Sequence, residues 1–142
     1  MNKNSEFTDK LRSSGLRPTK QRLKICEVLF NRDTTFHFTI NDLAKSIAEQ
    51  LNEKISLATV YNTIHAFKQK GYLKEISINS DKSYFDTNTS VHHHFFDEDT
   101  SELIDCDEKD IGPLNIKKNI SGKKINSVEV LIKIASDNQN QN

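Results

Sequence analysis

Cysteine is scarce. The 142 residues hold two, Cys26 and Cys106, and neither belongs to a Cys-x-x-Cys pair. One chain therefore cannot build a four-cysteine zinc site, and a disulfide framework is not expected. Cys26 lies in an apolar helical run with Leu23, Ile25, Val28 and Leu29 and reads as a small buried hydrophobe. Long apolar runs are also missing: nothing approaches the roughly 18 residues of a membrane span. Met1 to Lys10 is mostly polar, without the apolar stretch of a signal peptide, so a cytoplasmic protein with no membrane partner is expected. Net charge is absent too, because 20 basic and 20 acidic side chains cancel. That balance hides an asymmetry. Residues 1–90 carry 14 basic and 10 acidic side chains, residues 91–142 carry 6 and 10, and the first 24 residues carry 7 and 2. Such a division suits a basic half facing a polyanion and an acidic half with another task.

The hydrophobic period outlines the elements. Glu6 to Ser14 reads as a short helix ended by Gly15. A second helix runs to about Arg32, with Pro18 in its first turn. Thr39-Ile40-Asn41-Asp42 resembles a capping box and opens a third helix, with Leu43, Ile47 and Leu51 on one face. Ser56 caps a fourth, in which Leu57, Val60, Ile64 and Phe67 share a face while Ala58, Thr59, Asn62, Thr63 and Ala66 lie opposite; Gly71 ends it. The period then falls to two: Leu73–Ile78 and Ser83–Asp86 form a hairpin about Asn79–Lys82. Beyond Asn88-Thr89-Ser90, His92–Phe96 and Glu102–Cys106 are strands joined by a turn over Asp97–Ser101. Lys109–Ile120 reads as a weak helix interrupted at Gly112-Pro113, and Ile125–Ile134 as a strand. The expected fold class is α+β: a winged helix-turn-helix over residues 1–87, a hinge at 88–91, a small α/β dimerisation and ligand-sensing domain over 92–135, and a disordered tail over 136–142.

A helix reads base edges when its exposed face is slim and can hydrogen-bond or offer methyl groups. The Ser56–Lys70 helix has this character near its N-terminal end, at Ser56, Ala58, Thr59, Tyr61 and Asn62. The Asn62 amide can pair with adenine, and Ala58, Thr59 and Tyr61 can meet thymine methyls. Arg17, Lys20, Arg22 and the hairpin residue Lys82 suit phosphates. By periodicity alone the helix is equally an amphipathic one with a solvated face, and Tyr61 a half-buried ring; the helix order and the basic N-terminus favour DNA.

Five histidines occur, three of them consecutive: His92, His93 and His94. On a strand, His92 and His94 share a face and His93 points the other way. A His-x-His pair can chelate one divalent ion, with further ligands from elsewhere; Asp86 and His37 are the candidates. Such an N/O site suits manganese, iron or zinc more than calcium. Imidazole is also a haem ligand, so His92, His93 and His94 can serve haem or a second metal, with Phe95 and Phe96 beside them to stack on a porphyrin. A solvated strand start is the alternative for the triad, and His65 reads as an ordinary surface side chain. A metal-dependent hydrolase would need a general base beside an open metal position, and no segment builds a pocket for one.

Several strings together resemble a known family. Gly15-Leu16-Arg17-Pro18-Thr19-Lys20-Gln21-Arg22, His37-Phe38-Thr39, Ile55-Ser56-Leu57-Ala58-Thr59-Val60-Tyr61-Asn62-Thr63, Ser83-Tyr84-Phe85-Asp86 and His92-His93-His94 are similar to the ferric uptake regulator superfamily. The Ser-Leu-Ala-Thr-Val-Tyr core is the most specific. Tyr84-Phe85-Asp86-Thr87-Asn88, the histidine triad and Glu102-Leu103-Ile104-Asp105 look most like its iron response regulator branch. So does the absence of structural-zinc cysteine pairs: Asp97 and Thr100 stand where the first pair would be. The resemblance implies a homodimeric transcriptional repressor of iron or haem metabolism, not an enzyme, that binds AT-rich palindromic double-stranded DNA and responds to haem or manganese. It implies a regulatory metal site of His37, Asp86, His92 and His94. A second family site keeps only His93; Asp107, Glu108 or Asp110 can supply a ligand if the alignment shifts. The branch's Cys-Pro haem motif is missing, since Glu27 follows Cys26, so haem sensing would fall on His92 to His94.

Overall fold

The computed structural model describes residues 3–138, and the chain divides into two compact units between Thr89 and Ser90. In the first unit, α1 (Lys3–Ser13) stops ahead of Gly15, whose φ of 77° a side chain with a Cβ adopts only under strain. Helix α2 (Lys20–Phe30) starts where the Thr19 hydroxyl accepts the N–H of Arg22. Pro18 therefore lies one residue before the cap rather than in the first turn, because the threonine takes the capping position. After the short strand β1 (His37–Phe38), Thr39 caps α3 (Ile40–Leu51) by accepting from the Asp42 N–H at 3.2 Å. Asn52, left-handed at φ 51°, ends that helix. Ser56 caps α4 (Leu57–Gln69), its hydroxyl accepting from the N–H groups of Ala58 and Thr59.

Strands β2 (Lys74–Asn79) and β3 (Lys82–Asp86) make an antiparallel hairpin, and β1 joins the free side of β3 to give the order β1-β3-β2. The sequence gives no sign of β1, since two residues carry no alternation. The core of this unit draws on all four helices and the sheet: Leu11, Ile25, Leu29, Leu43, Ile47, Val60, Ile64, Phe67 and Phe85 are buried together. Full burial of one such side chain contributes about 1.5–3 kcal/mol. Two expectations for α4 fail. Leu57 is 53 % exposed rather than part of the apolar face. Thr63 is fully buried, with its hydroxyl donating to the Thr59 carbonyl at 2.7 Å; that intrahelical bond satisfies the one polar group that would bar it from the core.

The second unit is a sheet of β4 (His93–Asp97), β5 (Leu103–Cys106) and β6 (Leu131–Ile134) in the order β5-β4-β6. Strand β5 runs antiparallel to β4, and β6 parallel to it. The connecting turn is held by Asp97, whose Oδ1 accepts from the N–H groups of Asp99 and Thr100. A parallel strand needs a long crossover, and the residues between β5 and β6 supply it without the expected helix. Glu108–Asp110 forms one 3₁₀ turn, and residues 111–130 contain neither helix nor strand. Gly112-Pro113 breaks any helix there, and Ile111, Ile116 and Ile120 are poor helix formers. The expected strand Ile125–Ile134 shortens to its last four residues, extended by one ladder bond from the His94 N–H to the Val130 carbonyl. Ser136, expected in a disordered tail, donates its N–H to Asp99 at 2.6 Å; residues 139–142 lie outside the described ones. No helix among the described residues is long and apolar enough to cross a membrane.

Candidate metal centre and nucleic-acid interface

Strand β4 decides where the histidine run points. His92 and His94 fall on one side, their ring centroids 4.3 Å apart. The β4–β5 register sets His94 opposite Asp105. Three donors converge as a result: Asp105 Oδ1 lies 3.4 Å from His92 Nε2 and 3.3 Å from His94 Nε2. Both imidazoles are buried, at 7 % and 3 % exposure, whereas the Asp105 side chain is partly exposed. His92 Nδ1 lies 2.8 Å from the Ser90 carbonyl oxygen. A carbonyl only accepts, so Nδ1 carries the proton and neutral His92 turns its Nε2 lone pair toward the carboxylate. A lone pair facing a carboxylate oxygen calls for a cation or a proton between them. Two imidazole nitrogens and one carboxylate oxygen, with no sulfur, form a donor set for manganese, iron or zinc.

His93 has a different task. Its Nδ1 accepts the Val130 N–H at 2.9 Å, so the neutral ring keeps its proton on Nε2 and has no lone pair left for an ion. This hydrogen bond ties β4 to the residue ahead of β6. Of the acids that might have joined His93, Asp107 and Glu108 are exposed, and Asp107 sits 3.8 Å from Lys109. Asp110 is exposed as well. In the first unit, His37 on β1 and Asp86 on β3 are register partners in adjacent strands. Asp86 is fully buried, and its Oδ1 accepts the Asn88 N–H at 2.8 Å. Asp105 was not among the ligands expected from the sequence. The signal was present, however: a hairpin turning over Asp97–Ser101 brings Asp105 opposite His94.

On α4, Ser56, Ala58, Tyr61 and Asn62 are all exposed, as the DNA reading requires, and Thr59 is half-buried. Val60, Ile64 and Phe67 lock the other face into the core. The Tyr61 ring is 53 % exposed and lies parallel to His65, 5.7 Å away at 5°; it is not the half-buried edge ring that periodicity alone also allowed. Arg17 and Lys20 are exposed at the start of α2. Arg22 is not an open arm: it is half-buried, and its Nη1 donates to the Arg17 carbonyl at 3.0 Å. Lys82 opens β3 with its ammonium 5.4 Å above the Tyr84 ring. Glu75 on β2 accepts from Lys68 and from the Ser83 hydroxyl, both at 2.6 Å. Those two hydrogen bonds, Lys68 first, hold its carboxyl below the usual value.

Residues 13–134 match the ferric uptake regulator family. The chain is 34% identical over 100 residues to the peroxide operon regulator of Bacillus subtilis, covering 70% of this chain and 67% of that protein. It is likewise 34% identical over 95 residues to the peroxide-responsive repressor PerR of Staphylococcus aureus, covering 67% of this chain and 62% of that one. The matches thus span about two thirds of the curated relatives' length. Among solved structures, the ferric uptake regulator from Pseudomonas aeruginosa with manganese shares the fold, with a TM-score of 0.63 at 22% identity over 96% of this chain and 98% of that one.

Proposed function

The chain belongs to the ferric uptake regulator family, and we propose that it acts there as a divalent-metal-dependent DNA-binding repressor that responds to peroxide. The first unit has the element order of a winged helix-turn-helix, with α4 as the reading helix and β2–β3 as the wing. Ser56, Ala58, Tyr61 and Asn62 meet base edges in the major groove, with Thr59 beside them, while Arg17, Lys20 and Lys82 hold phosphates. Two protomers read two halves of an AT-rich palindrome. Strands β5 and β6 both lie at sheet edges, and Ile104, Leu114 and Ile116 of the second unit are exposed; this is surface that a second copy can bury.

One observation carries the metal reading: Asp105 Oδ1 faces the Nε2 atoms of both His92 and His94. The family resemblance assigns His37 and Asp86 to the same ion. A bound ion would supply the positive charge that the Asp105 carboxylate and the two imidazole nitrogens are placed to meet. The chain does the rest: the Ser90 carbonyl fixes the His92 tautomer, and the β4–β5 register holds Asp105 in place. The peroxide signal rests on the names of the two relatives at 34% identity. A haem-responsive regulator of the iron response regulator type is less well supported. His93 has spent its lone pair on Val130, and His92 and His94 turn inward to a carboxylate, which suits a small ion better than a macrocycle.

The test is fluorescence anisotropy on an AT-rich palindromic duplex. Manganese or iron should promote binding, a chelator should release the DNA, and hydrogen peroxide should release the iron-loaded protein. Binding indifferent to chelator would remove the metal from the proposal. Release by haem with indifference to peroxide would restore the haem-responsive reading.

A further inference from the structure

The start of α2 and the turn between α3 and α4 enclose a recess of about 400 Å³ lined by Thr19, Lys20, Gln21, Arg22, Glu53 and Thr59. Lys20 and Thr59 belong to the DNA-facing set above; Glu53 is the one acid among the six. Its placement follows from the fold. Asn52 takes the left-handed conformation that ends α3, and the Glu53 N–H then bonds back to the Ala48 carbonyl at 3.2 Å. Gln21 Nε2 spans to the Lys54 carbonyl at 3.2 Å and to Glu53 Oε1 at 3.5 Å. The other carboxylate oxygen of Glu53 lies 3.7 Å from Lys20 Nζ. Both partners of this ion pair are solvent-exposed, at 72% and 39% of the side chain, so it does little for folding. Arg22 also lines the recess and adds its charge to that of Lys20; its Nε, shielded from water, has no hydrogen-bond partner among the described residues. A lysine ammonium and a glutamine amide in the lining of one recess, with an arginine charge in its wall, are donors that an anion completes.

We propose that this recess receives a backbone phosphodiester of the bound duplex, and that Glu53 is an internal competitor which occupies Lys20 and Gln21 in the free protein and must yield them to the phosphate. Glu53 thereby lowers affinity for every duplex alike, since phosphate contacts carry no sequence information. Tight binding is then reserved for DNA that also satisfies the α4 face. This inference rests on the DNA-binding reading and adds a residue that moderates it.

The experiment compares wild type, Glu53→Gln and the double variant Lys20→Ala/Glu53→Gln. Each is titrated as metal-loaded full chain against the palindrome and a scrambled duplex over a range of salt. Glu53→Gln should bind both duplexes about fivefold more tightly at low salt, from two released surface pairs per dimer. Its plot of log affinity against log salt should keep close to the wild-type slope, because both proteins engage the same phosphate once bound and differ only in the free state. The gain should vanish in the double variant, and thermal melting should match wild type because the lost pair is exposed. A Glu53→Gln protein that melts normally and binds no more tightly overturns the proposal. Tighter binding to the palindrome alone also overturns it, by making Glu53 a base-reading residue. If wild type binds no duplex at all, the DNA-binding reading itself falls.

Discussion

Replacing Asp105 by asparagine isolates the metal centre from the fold. The side chain keeps its shape and loses only the charge. Asp105 is partly exposed on an edge strand, and an asparagine amide can still donate to the Nε2 atoms of the buried His92 and His94, so the metal-free protein should melt where wild type does. Metal affinity should change greatly. The Asp105 oxygen faces both imidazole nitrogens at 3.3–3.4 Å, which is the place of a ligand rather than of an outer partner. Loss of an outer partner already costs about 10–100-fold in metal affinity. Loss of a charged ligand should reach the upper end or beyond, about 100-fold, which is about 2.7 kcal/mol. Competition with a chromophoric chelator for manganese reads this directly, with His94→Ala as the reference for a lost ligand. If Asp105→Asn binds manganese like wild type while His94→Ala does not, then Asp105 only orients the histidines and the three-donor reasoning is wrong.

Tyr61→Ala removes an exposed ring from α4 and should cost about 1–3 kcal/mol of operator binding, with the urea midpoint unchanged; unaltered affinity by anisotropy would remove α4 as the reading helix. Phe67→Ala should destabilise the first unit by about 3–5 kcal/mol. The ring is fully buried and packs edge-on against Phe30 at 5.7 Å and Tyr72 at 6.0 Å; urea unfolding measures the loss. Glu75 is held below its ordinary 4.5 by Lys68 and Ser83. Its contribution to stability is therefore complete above pH 4.5 and fades as pH falls through the lower folded value. Glu75→Gln should be less stable than wild type at neutral pH and draw level with it in acid, as followed by denaturant midpoints across pH 3–7.

The parts of this chain that were legible in sequence are those whose signals are local. Thr39 and Ser56 announce their helices because a hydroxyl capping an N–H two or three residues on is a short-range event. The hairpin β2–β3 follows from a period of two around a polar turn. The misread parts depend on partners far away in sequence. Strand β1 is two residues long and exists because β3 offers it a free side. Thr63 looks polar and is core, because its hydroxyl finds the Thr59 carbonyl. The segment from Lys109 to Ile120 has enough apolar residues to suggest a helix, yet Leu114, Ile116 and Ile120 remain exposed. In the site, the histidine alternation was readable from strand geometry alone. Asp105 required the register of β5 against β4, and the separate duty of His93 required the approach of Val130.

The two thiols bear on how an oxidant could be sensed. Cys26 is fully buried, and burial pushes its thiol up to about 12. Cys106 is 3 % exposed, and burial, then the charges of Asp110 and Asp107, raise it as well. Oxidation by peroxide needs an accessible thiolate, and neither residue offers one. Native protein at pH 8 should therefore resist alkylation by iodoacetamide at both positions until it is unfolded. If Cys106 is alkylated in the native protein, a thiol is open to peroxide and the metal is no longer needed to explain a response. If both stay unmodified, any peroxide response must pass through the nitrogen and oxygen donors around Asp105. A Cys26→Ala/Cys106→Ser variant loaded with iron should then still release DNA on peroxide treatment, and one that stays bound would return the response to a thiol.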